Sequence, residues 1–79
     1  MISAYIDAEA TGERIWELRK ENKLTVEKLS ELVGTSDPRA LYKWRRGVTL
    51  PSLDNLIALA EIFRTPVDDI IVRRKTKER

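Results

Sequence analysis

Apolar residues recur along this chain every three to four positions rather than every second one, and three glycines and three prolines cut the pattern into short segments. A period near 3.6 lines apolar side chains along one stripe of a helix, so the pattern predicts an all-α, compact five-helix domain. The first helix is expected over roughly 12–22, opened by Thr11-Gly12 and marked by Ile15 and Leu18. Glu13 near its start and Arg19 and Lys20 near its end suit the helix dipole. After the break at Asn22-Lys23-Leu24, Thr25 offers an N-cap oxygen ahead of Val26, Leu29, Leu32 and Val33, and Gly34 offers a left-handed stop. Ser36-Asp37-Pro38 then reads as a cap followed by proline at the first position of a third helix, about 38–46, closed by Gly47. Ser52 caps a fourth helix whose face is Leu53, Leu56, Ile57, Ala60 and Phe63. Thr65-Pro66 opens the last, with Val67, Ile70 and Ile71 on one side.

Helices of about 8 to 12 residues are marginal alone, and a chain this short supplies only about 3 to 5 kcal/mol of net stability. Dimerisation would make up the margin. The link between helices two and three is short enough to let them cross steeply. Ser30, four residues before Gly34, is the small residue expected at that crossing, with Leu41 and Trp44 turned inward against Leu29 and Val33. Arg39, Tyr42, Lys43 and Arg46 then point outward, with Pro38 and Ala40 at the start of the same surface.

Charge sharpens this picture. The net charge is only +2, yet Arg39, Lys43, Arg45 and Arg46 occupy residues 38–53 without a single acid. A basic block of this kind suits a phosphate-facing surface, where each cation releases a condensed counterion, and an Arg or Lys on a helix in the major groove reads guanine O6 and N7. The flanking stretches, 1–37 and 54–72, are each net acidic. Residues 73–79 are again basic and read as a frayed, solubilising tail, with residues 1–11 as an N-terminal segment and 12–72 as the domain. Cysteine and histidine are absent, which removes disulfides, thiolate chemistry, the usual zinc ligands and a histidine general base. Neither catalytic residues nor a chain long enough for a deep pocket remain, so no enzyme and no cofactor is expected. The adjacent Asp68 and Asp69 project to different sides of a helix start and are explained by its dipole rather than by a metal. Composition, 42% hydrophobic and 35% charged, fits a water-soluble fold, and no apolar run approaches the length of a membrane span. A cytoplasmic protein without membrane contact is expected.

Some apolar residues have no obvious place. Trp16 lies one residue off the Ile15–Leu18 stripe, and packing against Ile2, Tyr5 and Ile6 is as open as plain exposure. Leu59 and Ile62 fall outside the main stripe of helix four and are better suited to seating helix five than to a dimer surface.

Over about three quarters of its length, from Gly12 to Val72, the chain resembles the phage-repressor and Cro-type helix-turn-helix family, also called the xenobiotic response element family. The resemblance lies in the order and spacing of Arg14-Ile15 to Leu18-Arg19, Leu24-Thr25 to Leu29-Ser30, Leu41-Tyr42-Lys43-Trp44 to Gly47, Leu50-Pro51-Ser52-Leu53 and Val67-Asp68-Asp69-Ile70-Ile71. It implies a repressor-like fold whose two middle helices contact DNA. Base or backbone contacts are implied for Arg39, Ala40 and Lys43, and phosphate contacts near Thr25, Val26 and Arg46; Ser36, Pro38, Tyr42 and Arg45 complete the expected surface. This sequence departs from the family at three places. Val26 replaces a frequent glutamine, leaving only a backbone N–H for phosphate. Arg45 replaces a frequent glutamate that pairs with the residue matching Arg19, which turns Arg45 toward phosphate. The turn Thr35-Ser36-Asp37 is one residue longer than the commonest form, which shifts Arg39.

The sequence thus reads as a bacterial or phage transcription regulator, a repressor that binds an inverted-repeat operator in double-stranded DNA as a homodimer. The alternative is a protein-interaction module, such as a toxin-neutralising antitoxin, whose partner is a toxin or another regulator and which binds DNA only to regulate itself.

Overall fold

The computed structural model describes residues 4–35 and 37–75. In chain order these form β1 (Ala4–Ile6), α1 (Ala8–Glu21), α2 (Val26–Val33), α3 (Arg39–Arg46), α4 (Leu53–Phe63), α5 (Val67–Ile70) and β2 (Arg73–Lys75). The five expected helices are present, and only their lengths differ from the expectation: α1 has 14 residues and α5 a single turn of four.

The largest shift is at the start of α1. Asp7 is the N-cap, its carboxylate accepting the Ala10 N–H at 3.0 Å, so the helix begins four residues before Gly12. Thr11, expected at the helix start, lies inside it and is buried. Its hydroxyl accepts the Val72 N–H at 3.0 Å and donates to the Val72 carbonyl at 3.4 Å, tying α1 to the far end of the chain. Beside this tie, β1 and β2 pair antiparallel in the register Ala4–Lys75, Tyr5–Arg74, Ile6–Arg73. The basic tail is therefore not frayed from its first residue: Arg73 to Lys75 are strand, Arg74 stacks over the Tyr5 ring at 5.7 Å, and residues 76–79 lie outside the described residues.

One core joins the helices: Ile15 and Leu18 of α1, Val26 and Leu29 of α2, Leu41 and Trp44 of α3, Leu56, Leu59 and Phe63 of α4, and Ile70 of α5. Two stripes read from the sequence turn out rotated. Leu32 is 46% exposed, because Val26, Leu29, Ser30 and Val33 already cover the inward side of α2 and Leu32 falls about a quarter turn away. On α4, Leu53 and Ile57 are 78% and 57% exposed, while Leu59 is fully buried. The core side of α4 is centred on Leu56, Leu59 and Phe63, between the helices α2 and α5 that pack against it, which leaves Leu53 and Ile57 outside.

The close helix crossing is also not where the sequence puts it. The backbone of α3 approaches α1 far more closely than α2, and α2 leans on α4 instead. At the contact Gly12 sits against the α3 backbone, where a Cβ would overlap the Trp44 carbonyl oxygen and stand 2.9 Å from the Arg45 carbonyl oxygen. Gly12 therefore sets the separation of α1 and α3.

Candidate nucleic-acid interface

Local hydrogen bonding builds the turn between α2 and α3. Thr25 caps α2 by accepting the Lys28 N–H at 3.0 Å, and Gly34 ends it in the left-handed region at φ 94°. The Gly34 and Thr35 N–H groups both donate to the Ser30 carbonyl, at 3.0 and 3.1 Å. Ser30 is buried as the sequence suggested, but its small side chain serves the turn: its hydroxyl meets the Thr35 hydroxyl at 2.5 Å. Pro38 (φ −59°, ψ −18°) occupies the cap position of α3 rather than its first helical position, so the helix begins at Arg39, one residue later than expected. Capping falls to Asp37, whose Oδ1 accepts the Arg39 N–H at 2.9 Å.

With about 100° between successive residues, burial of Leu41 and Trp44 sends Arg39 and Arg46 directly outward, with Tyr42 and Lys43 on either side of them. All four are exposed. Ala40 and Arg45 fall on the two flanks and are half-buried. On the Ala40 flank, Asp37, Arg39, Ala40, Lys43 and Thr49 line an open groove of about 570 Å³. On the other, Arg45 shares a smaller hollow with Glu13, Trp16, Glu17 and Lys20 of α1, so it faces α1 rather than the outward stripe.

Thr25 is exposed at the start of α2, whereas the Val26 side chain is in the core, which leaves to Val26 only its backbone N–H, one of the first of the helix and without an intrahelical partner. Ser36 lies outside the described residues. Thr49 and Asp37 are the groove residues that sequence reasoning did not single out. From the sequence Asp37 reads only as a cap, although an Asp two residues before an Arg also places its carboxylate within reach of the guanidinium.

Asp37 carries the clearest electrostatic feature of the surface. The Arg39 guanidinium Nε donates to both its carboxylate oxygens, at 3.2 and 3.1 Å. The Arg39 backbone N–H, first, and then this guanidinium hold the Asp37 carboxyl below the usual carboxylate range. Trp16 meets neither expectation held for it. It is half-buried, its ring 5.5 Å from that of Tyr42, with the Arg19 guanidinium 4.8 Å above it; Tyr5 and Ile6 are elsewhere, in β1, and Ile2 lies outside the described residues. Arg19, which has no glutamate to meet on α3, also donates to the Leu24 carbonyl at 2.7 Å.

This geometry agrees with what the chain is similar to. Residues 17–70 match the family model described as Helix-turn-helix. Among solved structures, the restriction-modification controller protein C.AhdI from Aeromonas hydrophila superimposes with a TM-score of 0.74 at 30% identity, covering 84% of this chain and 98% of that one. The clp gene regulator ClgR from C. glutamicum gives a TM-score of 0.69 at 25% identity and 80% coverage of each chain. No curated protein sequence gives a significant match. No helix among the described residues is long and apolar enough to cross a membrane. A capped α2, a short turn and an α3 with a buried Leu41–Trp44 side and a basic outward side, matched by family model and fold alike, place this chain in the Cro-type helix-turn-helix family of DNA-binding transcription regulators.

Proposed function

We propose that this protein is a sequence-specific repressor that binds an inverted-repeat operator as a two-fold dimer, with α3 in the major groove. The observation that carries the reading is the outward stripe of α3, Arg39, Lys43 and Arg46, free of acids from residue 38 to residue 53 and backed by the buried Leu41 and Trp44. Arg39, in the N-terminal half of the helix, reaches base edges beside Ala40 and Lys43, while Arg46 at its end holds phosphate. Thr25 and the Val26 N–H add phosphate contacts at the start of α2. A single helix-turn-helix of this size buries too little surface for regulatory affinity, and two-fold pairing doubles the contacts. The second copy sits on the apolar side chains the core leaves out, Leu50, Leu53 and Ile57, which are 42%, 78% and 57% exposed.

Selection of bound duplexes from a random pool should return an inverted repeat with half-site centres about 34 Å apart. On that site Arg39→Ala should cost about 1 to 3 kcal/mol and relax the preference at one base pair. Arg46→Ala should weaken selected and scrambled duplexes alike and lower the salt slope by about one per site. Leu53→Lys should sediment as a monomer and lose cooperative binding. A selected site without a dyad, bound by one chain, refutes the dimer; Arg39→Ala with its site preference intact refutes base reading by Arg39.

A further inference from the structure

Arg39 is not a free side chain on the surface that α3 presents. Its guanidinium carries five N–H donors, one on Nε and four on the two terminal nitrogens. The Nε donor is shared between the two carboxylate oxygens of Asp37, at 3.2 and 3.1 Å, and the same carboxylate accepts the Arg39 backbone N–H at 2.9 Å. One acid therefore holds both the start of α3 and the Nε of its first side chain. The Nη1 and Nη2 groups have no partner among the described residues, and the Arg39 side chain is 85% exposed. Among the described residues, Asp37 is the one acid lining the groove formed with Arg39, Ala40, Lys43 and Thr49.

Two consequences follow. The donors left over are those on the terminal nitrogens, and the end-on fork they form spans a pair of acceptors such as guanine O6 and N7. The carboxylate also cancels much of the charge that would draw Arg39 to phosphate, since phosphate attraction is sequence-independent and follows the net cation count. An arginine held at Nε and neutralised beside a base-reading position is poor at gripping backbone and good at reading an acceptor pair.

We infer that Asp37 is a specificity-determining positioning residue: it orients Arg39 so that the terminal nitrogens face the base edges, and it lowers the affinity of α3 for DNA of any other sequence. The inference rests on the reading that α3 enters the major groove. Asp37 touches no base; it acts through Arg39.

The test uses the full chain with Asp37→Asn, Arg39→Ala and the double variant, on the selected duplex and a scrambled one, at several salt concentrations. Asparagine keeps an oxygen to accept the Arg39 N–H, so α3 stays capped, and thermal melting of each variant checks that the fold is intact. For Asp37→Asn the ratio of selected to scrambled affinity should fall about two- to tenfold, the equivalent of ordering one long side chain. Affinity for the scrambled duplex should rise, and the salt slope should steepen by up to about one per site, because a cation on each protomer is released toward phosphate. In the Arg39→Ala background, Asp37→Asn should leave the ratio unchanged. If Arg39→Ala relaxes the site preference and Asp37→Asn does not, Arg39 reads without help and the inference is overturned while the DNA-reading assignment stands. Should Arg39→Ala itself leave the preference intact, base reading by Arg39 fails and the inference falls with it. An equal loss on both duplexes in Asp37→Asn, with a lowered melting temperature, would make Asp37 a helix cap and nothing more.

Discussion

Replacing Gly12 with alanine separates two opposed physical effects. Gly12 lies inside α1, and on helix propensity alone alanine should stabilise it by about 1 kcal/mol. Tertiary packing predicts the opposite. The new Cβ would overlap the Trp44 carbonyl oxygen and stand 2.9 Å from the Trp44 carbonyl carbon and the Arg45 carbonyl oxygen. All three are backbone atoms of α3, so no side-chain rotation relieves the clash. To restore ordinary contact the helices must separate by about 1.5 Å, and a gap of even about 0.5 to 1 Å forfeits a quarter to a half of the dispersion energy across it. The contacts weakened are those of Ile15 and Leu18 with Leu41 and Trp44, at the centre of the core. Overpacking costs typically about 1 to 3 kcal/mol and occasionally more; with only backbone able to move, about 2 to 4 kcal/mol is expected here, which leaves a net loss of about 1 to 3 kcal/mol after the propensity gain of about 1 kcal/mol. For a domain of this size that lowers the melting temperature by about 5 to 20 °C, read by circular dichroism on the full chain at fixed protein concentration. A melting temperature equal to or above that of the original protein would refute the argument that Gly12 sets the α1–α3 separation.

Two further substitutions test the packing around the same contact. Trp44→Ala removes a side chain only 4% exposed and should cost roughly 3 to 5 kcal/mol, close to the whole stability, so the far-ultraviolet spectrum should be largely lost at 37 °C; a cooperative melt near that of the original would show that Trp44 does not hold α3 to the core. Thr11→Val keeps the shape but leaves the half-buried Val72 N–H without its 3.0 Å acceptor, which should cost about 1 kcal/mol and raise hydrogen exchange at Val72 and along β2 before the rest of the domain.

Much of this domain is local, and the sequence determined it. Thr25 and Ser52 cap α2 and α4 with their own hydroxyls, Gly34 and Gly47 end α2 and α3 in the left-handed region, and Leu41 and Trp44, three apart, fix which side of α3 is buried and so which residues point outward. Each depends on residues within one or two turns of each other, so composition and spacing suffice. What the tertiary structure alone decided involves partners far apart in the chain. Thr11 looks like a helix start until Val72, 61 positions later, takes up its hydroxyl. Gly12 looks like the edge of a helix until the backbone of α3 arrives against it. Which way α4 faces depended on where α2 and α5 would pack against it, and Leu59 is turned inward while Leu53 and Ile57 are left to solvent. The pairing of β1 with β2 joins the two ends of the chain through backbone hydrogen bonds that no side-chain period encodes, since two three-residue strands are too short to show an alternation and gain their stability only from each other and from the helices beneath.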